Sequence, residues 1–380
     1  MRKTWDIFCN VVDNYGDIGI AWRLARQLVA EHGMAVRLWV DDLDTFKRIW
    51  PEIRPEADRQ QSCGVQIRAW RHPFLPVEPA EVVIEAFGCA LPEIYLQAMS
   101  AKSPAAAWIN LEYLSAESWV SAHHGLPSPH PHLPLTKYFF FPGYAAGIGG
   151  LLVEGDLASR RRHFQRDGAA ASLLNLGVAA SSPAALTVSL FAYENPAVGE
   201  LLEAFSTADQ AICCLVPEGK IVPQLASWAG RQTLEAGDVY RRGMLTLQIL
   251  PFLDQDGYDR LLWACDVNFV RGEDSCVRAQ WAARPMVWQA YPQADRVHLA
   301  KLDALLERYQ QGLPVAAAAS LRALWHAWNG AEGGSDVKRA WNEFLRQREV
   351  LASHAVTWSD QLAALGSLAD KLIDFVENRI

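Results

Sequence analysis

The feature that most constrains this chain is an alternation that occurs twice. Short apolar runs of strand length alternate with stretches of helical spacing, first over 5–141 and again over 185–289. In the first series, 5–12 (WDIFCNVV), 35–41, 65–70, 82–86, 106–110 and 136–141 read as strands, with helices at 20–32 and 43–50. Runs that are apolar throughout predict strands buried on both faces, and intervening helices predict a parallel sheet. Residues 127–134 (PSPHPHLP) read as a loop, because proline denies regular structure there. The second series has strands at 185–191, 210–216, 245–250, 266–270 and 286–289. Helices lie between them at 196–206, 218–229, 257–264 and from Ser275, and beyond 295 the pattern is almost wholly helical. The fold class expected is α/β, with two doubly wound domains in tandem and a cleft between them. At about 100–200 residues per domain, 380 residues accommodate two. The expected division is a first domain at 1–155, a linker at 156–183 and a second domain at 184–355. A C-terminal helix at 356–380 is expected to cross back to the first domain, by analogy with the fold class.

Composition removes several classes of function. A net charge of −8 argues against non-specific nucleic-acid binding, which rests on basic surface. The seven cysteines are odd in number and never spaced CxxC, and several sit in apolar runs. They read as small buried hydrophobes of a reduced, cytoplasmic protein, with neither a disulfide framework nor a zinc ribbon. Asp6 and Asp13 interrupt the opening apolar run, which therefore does not read as a signal peptide, and no stretch approaches the roughly 18 apolar residues of a membrane span. His123, His124, His130 and His132 lie in a proline-rich stretch without nearby carboxylate or cysteine partners, so no metal site is expected. The basic run Arg160 to Arg162 reads as a solvated face, and the 15 tryptophans as core.

Two loops at strand ends carry the chemistry. In open α/β sheets, ligands bind outside the carboxyl ends of the strands. Asp13-Asn14-Tyr15-Gly16-Asp17-Ile18-Gly19 follows the first strand. It is not GxGxxG, which counts against a nicotinamide oxidoreductase. Gly16 and Gly19 permit tight turns and close approach of a ligand. An acidic loop is a poor phosphate cradle but a good place for a base or for a cation. Taken alone, Asp17 is equally accounted for as a helix cap. The second loop, Arg271-Gly272-Glu273-Asp274-Ser275, joins a strand to a helix. There the free N–H groups of a helix terminus, the Ser275 hydroxyl and Arg271 suit a diphosphate, although Asp274 or Ser275 alone reads as a cap. Phe191, Tyr193, Phe252 and Gln255 also follow strands of the second series, where a ring can stack on a pyrimidine and an amide can read its edge. Each aromatic taken singly reads as core.

The segments WDIFCNVVDNYGDIGIAWRLARQL and PFLDQDGYDRLLWACDVNFVRGEDSCVRAQWAARPMVWQAYPQ resemble the elongation factor P arginine rhamnosyltransferases, over the whole chain. The resemblance implies a GT-B-like fold of two Rossmann-like halves, with the donor site in the C-terminal one. The implied reaction moves L-rhamnose from dTDP-β-L-rhamnose to an arginine side chain of elongation factor P, with inversion and without a metal or other cofactor. The resemblance further implies that this modification activates the factor for relief of ribosome stalling at polyproline. The resemblance assigns Asp17 as general base, Asp13 as its partner on the acceptor and Glu273 as a second catalytic carboxylate. Phe191, Tyr193, Phe252 and Gln255 fall to nucleotide recognition, and Arg271, Asp274 and Ser275 to the diphosphate. Tyr15, Glu112 and Tyr291 are weaker candidates for acceptor contact, and Tyr15 is placed as well with Gly16 and Gly19 on the donor side. No nucleic acid or membrane is implied as a partner. Two other functions fit the residues: another nucleotide-sugar transferase acting on a small molecule or glycan, and a nucleotide-binding scaffold without catalysis.

Overall fold

A computed structural model describes residues 3–12, 15–168, 171, 173, 178, 185–293, 296–331 and 336–379. The chain divides into two compact units, 1–155 with 362–380, and 156–361.

The described strands of the first unit are β1 (Thr4–Cys9), β2 (Ala35–Val40), β3 (Arg59–Ser62), β4 (Val65–Ala69), β5 (Val82–Ala86), β6 (Ala107–Leu111), β7 (Pro127–Pro129) and β8 (Thr136–Phe140). They form one sheet in the order β3-β4-β2-β1-β5-β6-β8-β7. From β4 to β8 every pairing is parallel. The chain steps outward from β1 through β2 to β4, then returns to the other side of β1 and steps outward again through β5, β6 and β8. The strand order therefore reverses between β1 and β5, and this is where an open α/β sheet leaves a crevice at the carboxyl ends of its strands. Ile7, Phe8, Leu38, Val83, Ile84 and Ile109 have no exposed surface, which is why these runs lack a polar alternation.

Both edges differ from the sequence reading. The expected loop at 127–134 contains β7, which pairs antiparallel with β8 through Pro127↔Tyr138 and Pro129↔Thr136. Proline is tolerated there because an edge strand needs donors on one side only. The polar strand β3 pairs antiparallel with β4 at the opposite edge. It carries no apolar signal because polar and charged side chains suit an edge.

One carboxylate ties the first sheet together. Asp6, fully buried on β1, accepts hydrogen bonds from the Arg37 guanidinium on β2, Trp39 Nε1 (3.1 Å), Ala80 N (3.1 Å) and the Tyr95 hydroxyl. The final helix, Leu368–Arg379, belongs to this unit. Leu368 N donates to Leu151 O (2.9 Å), Lys371 Nζ donates to Ile148 O (2.7 Å), and Phe375 packs on Phe140. The single helix expected over 356–380 is two, Arg348–Ala363 and Leu368–Arg379, because Gly366 at φ 85° breaks the path.

The described strands of the second unit are β9 (Leu186–Leu190), β10 (Ile212–Pro217), β11 (Val239–Arg242), β12 (Leu245–Leu250), β13 (Val267–Arg271) and β14 (Met286–Gln289). Their order is β11-β12-β10-β9-β13-β14, parallel except for the edge strand β11. The same reversal recurs, here between β9 and β13. Tryptophan builds the packing as expected: Trp325, Trp328 and Trp341 are fully buried, with Trp328 and Trp341 against Phe269. The stretch read as a linker begins with a helix, Leu157–Asp167, that packs on this unit through Phe164 against Trp263. Its apolar face was concealed by Arg160, Arg161 and Arg162. Arg161 is itself buried and donates to Trp281 O and Ser359 Oγ, so only part of that basic run is a solvated face. Among the described residues no helix is long and apolar enough to cross a membrane.

Removing the Asp6 carboxylate leaves Arg37, Tyr95 and two N–H donors without their acceptor. Asp6→Ala is expected to lower unfolding stability by about 3–5 kcal/mol, as loss of one partner from a buried ion pair does. Urea denaturation checks this, and a change within about 1 kcal/mol contradicts it.

Candidate active site

In the first unit the loop after β1 meets the loops after β5 and β6. The helix Gly16–Ala30 begins earlier than the sequence pattern implied, so Asp17 lies in its first turn. The N-cap residue is Tyr15, and no side-chain cap bond is made there. Asp17 instead turns back on the loop: its Oδ2 accepts from Val12 N (2.9 Å) and its Oδ1 from the Tyr113 hydroxyl (3.1 Å). The residue is 1% exposed. Gly16 opens that helix, and Gly19 N donates to Tyr15 O (2.9 Å) within it. Neither glycine forms the tight turn expected of it. The Tyr15 ring lies under the Arg48 guanidinium, 5.8 Å from its centroid. Asp13 and Asn14 lie outside the described residues.

Glu112 immediately follows β6. It accepts from Asn110 Nδ2 (2.6 Å), while Asn110 Oδ1 accepts from Gly88 N (3.1 Å) and so ties the β5 turn to the same corner. Burial raises the Glu112 pKa above the ordinary carboxylate value. One strand inward, Glu85 is paired with Lys137 (3.1 Å) and Trp108 Nε1 (3.1 Å). Burial nonetheless pushes its pKa up, outweighing Lys137. The histidines nearby serve backbone groups: His124 Nδ1 accepts from Phe141 N and His130 Nδ1 from Leu133 N.

In the second unit the loops after β9, β13 and β14 converge. Arg271 ends β13, and Gly272, at φ 64°, turns the chain into the helix Asp274–Trp281. The Arg271 guanidinium lies 4.5 Å from the Phe191 ring centroid and 4.3 Å from that of Tyr193. Arg271 is 8% exposed, and its Nε has no hydrogen-bond partner among the described residues. A guanidinium held between two rings, with a buried donor unused, is prepared for an anion. Tyr193 is fixed from behind by Gln289, whose Oε1 accepts from Tyr193 N (2.9 Å). Its ring meets Tyr291 edge to face, and Tyr291 is 53% exposed. Phe191 packs on Tyr258 of the helix Gln255–Ala264.

The Ser275 hydroxyl is directed differently from the expectation. It donates to Arg271 O and accepts from Arg271 N, so it braces the turn. What Ser275 retains for an anion is its backbone N–H, one of the orphan donors in the first turn of the helix. Glu273 is the N-cap residue and makes no side-chain cap bond, and Asp274 opens the helix, so both carboxylates sit at this corner half-buried. Gln255, 6% exposed, opens its helix behind the cap Asp254, whose Oδ1 accepts from Gly257 N (2.6 Å). Phe252 lies half-buried on the same loop. The two helices that frame this corner are locked by a buried bidentate pair, Arg278 Nε to Asp259 Oδ1 (2.9 Å) and Nη2 to Oδ2 (2.6 Å).

The profile of a family described as the elongation factor P rhamnosyltransferase EarP matches residues 5–377. The chain belongs to the EarP family. A protein-arginine rhamnosyltransferase of Pseudomonas putida is 52% identical to it, over 100% of both chains. One of Neisseria meningitidis is 33% identical, over 97% of this chain and 96% of the other. A solved structure described as the structural basis for EarP-mediated arginine glycosylation of translation elongation factor EF-P has a TM-score of 0.71 and 41% identity, covering 100% of each chain. MurG of Acinetobacter baumannii has a TM-score of 0.53 at 11% identity, over 99% of each, and shares the GT-B-like fold. EarP proteins are protein-arginine rhamnosyltransferases, which are glycosyltransferases. Within this EarP chain the structure joins Phe191, Tyr193, Arg271, Ser275 and Tyr291 in one cluster of the second unit. In the first it places Asp17 after β1 and Glu112 after β6, with β5 between those two strands. Tyr291, expected to contact the acceptor, lies against Tyr193. Tyr113, Asn110, Tyr258 and Gln289 were missed. Tyr113 had a signal, since it follows Glu112 at the end of an apolar run; the other three look like ordinary strand or helix residues.

Arg271 sits in its aromatic slot at a cost in desolvation. Arg271→Met is expected to melt at the same temperature as the unaltered protein or higher, and to lose dTDP affinity by about tenfold or more, the balance typical of a site strained for binding. Differential scanning and titration calorimetry check both, and unchanged dTDP affinity contradicts the assignment.

Proposed function

We propose that this EarP chain transfers L-rhamnose from dTDP-β-L-rhamnose to an arginine side chain of elongation factor P, with inversion at the anomeric carbon and without a metal ion. Rhamnosylation would activate the factor for relief of ribosome stalling at polyproline. The observation that carries the reading is a division of charge: a carboxylate held at both oxygens in one unit, and a buried guanidinium between two rings in the other. The first suits a cationic acceptor and the second an anionic donor. The activity for which the relatives are named supplies arginine and rhamnose.

Free guanidinium has a pKa above about 12, and its lone pairs are delocalised, so Asp17 cannot deprotonate it beforehand. The carboxylate's task is to orient one nitrogen and to accept its proton as the bond to the anomeric carbon forms. That nitrogen becomes acidic only as it gives up electron density. The C–O bond to dTDP breaks at the same time, and the diphosphate leaves with the bonding pair. Arg271 and the free N–H groups of the Asp274–Trp281 helix would stabilise it, at roughly 3–4 kcal/mol for each well-placed donor. Phe191, Tyr193 and Phe252 offer faces to the pyrimidine, and Gln255 an edge. Asp13 would hold the acceptor alongside Asp17, and Glu273 would serve as the second catalytic carboxylate.

Asp17→Asn keeps the size of the side chain and removes the base. It is expected to lower kcat about 10²- to 10⁴-fold, the usual worth of a positioned base, with dTDP affinity unchanged. Steady-state release of dTDP in the presence of elongation factor P measures the first and calorimetry the second. Near-normal turnover would remove Asp17 from its role.

A further inference from the structure

Tyr113 lies just beyond β6, and its hydroxyl and ring do different things. The hydroxyl donates to Asp17 Oδ1 (3.1 Å). The ring stacks on Phe87, with centroids 4.5 Å apart and planes 19° apart, yet the residue stays 42% exposed. Phe87 is held for this contact. It follows β5, its N–H donates to Leu111 O (2.7 Å), and its φ of 58° is a conformation that a bulky side chain rarely adopts. Backbone strain of this kind persists only where surrounding structure enforces it, and it gathers at functional sites. Here the enforcement includes Asn110, which fixes the next residue, Gly88, from β6. The result is a two-ring stack at the reversal of the strand order, with its polar end turned toward the buried carboxylate.

A planar, weakly hydrated cation suits such a stack. Guanidinium packs flat against aromatic rings while its edge donates to a carboxylate, a geometry that ammonium cannot reproduce. We propose that Tyr113 is a positioning residue for Asp17 through its hydroxyl, and that the Phe87–Tyr113 stack is the platform on which the acceptor guanidinium lies. This rests on the reading of Asp17 as the group that receives the acceptor's proton. The hydroxyl fixes one carboxylate oxygen while Val12 N fixes the other, so the side chain meets the substrate in a single orientation. The ring then sets the plane of the guanidinium relative to that carboxylate, which selects arginine over lysine.

The test compares Tyr113→Phe, Tyr113→Leu and Phe87→Leu, with elongation factor P as acceptor and dTDP-β-L-rhamnose as donor. Tyr113→Phe keeps the ring and loses the hydrogen bond. Its kcat is expected to fall about tenfold or more, as for a bond to a charged group, with acceptor KM nearly unchanged. Tyr113→Leu is expected to show the same loss in kcat together with a rise of roughly tenfold in acceptor KM, because the stacking face is gone. Phe87→Leu keeps the hydroxyl, so acceptor KM should rise while kcat holds, and it reads the platform even if Tyr113→Leu fails to fold. An unaltered kcat in Tyr113→Phe overturns the positioning role. An acceptor KM unmoved in Phe87→Leu and equal in the two Tyr113 variants overturns the platform. Asp17→Asn, run alongside, separates the two levels. If it retains turnover, the reading of the base fails and this inference with it. If it is inactive while Tyr113→Phe is normal, only the inference fails.

Discussion

A right-handed crossover can cover only one face of a parallel sheet, so a chain that covers both faces must return to its first strand and wind the other way. Everything functional here depends on that reversal. In the first unit it falls between β1 and β5, and in the second between β9 and β13. At each reversal the connecting loops part in opposite directions and leave the strand ends uncovered. Asp17 follows β1, and Phe87 and Tyr113 follow β5 and β6. Phe191 and Tyr193 follow β9, and Arg271 ends β13.

Among the buried polar groups of the two units, two kinds bear on the sites. Asp6 and the Asp259–Arg278 pair are saturated with partners, and each joins elements that would otherwise carry an uncompensated charge. They hold the scaffold. Arg271 is different, because it is packed between rings with a donor unused. Asp17 is supported through Val12 and Tyr113, both of which are exposed and next to the open end of the sheet. The first kind fixes where the loops emerge, and the second supplies what the loops do. The family relationship and the division of charge then agree: members act on arginine, a cation, and transfer a sugar.

Much of this was legible in the sequence for a physical reason. Strands buried on both faces must be apolar throughout, so the central strands of both sheets stood out, and the loops after them could be located. The edge strands β3, β7 and β11 did not stand out, because an edge is stabilised by pairing on one side and tolerates Arg59, Pro127 or Arg241. The acidic and the cationic loop were both visible as residue types, but the direction of each side chain was not. Ser275 read as a cap or a phosphate donor, and its hydroxyl braces the Arg271 turn; Asp17 taken alone read equally as a cap or a functional carboxylate, and it is held from the loop and from Tyr113. Tyr113 and Phe87 were invisible as a pair, since they stand 26 positions apart in sequence and the β5–β6 pairing brings them together. A partner that depends on tertiary register leaves no periodic trace in a single chain.

The central claim is that one unit presents a base to a guanidinium and the other holds an activated sugar by its diphosphate. Its most direct test is the intact mass of elongation factor P after incubation with this protein and dTDP-β-L-rhamnose, followed by fragmentation to locate the change. The account predicts a gain of one deoxyhexose on a single arginine, with the anomeric configuration opposite to that of the donor. No mass gain, a gain on a residue other than arginine, or retention of the donor's configuration would contradict it.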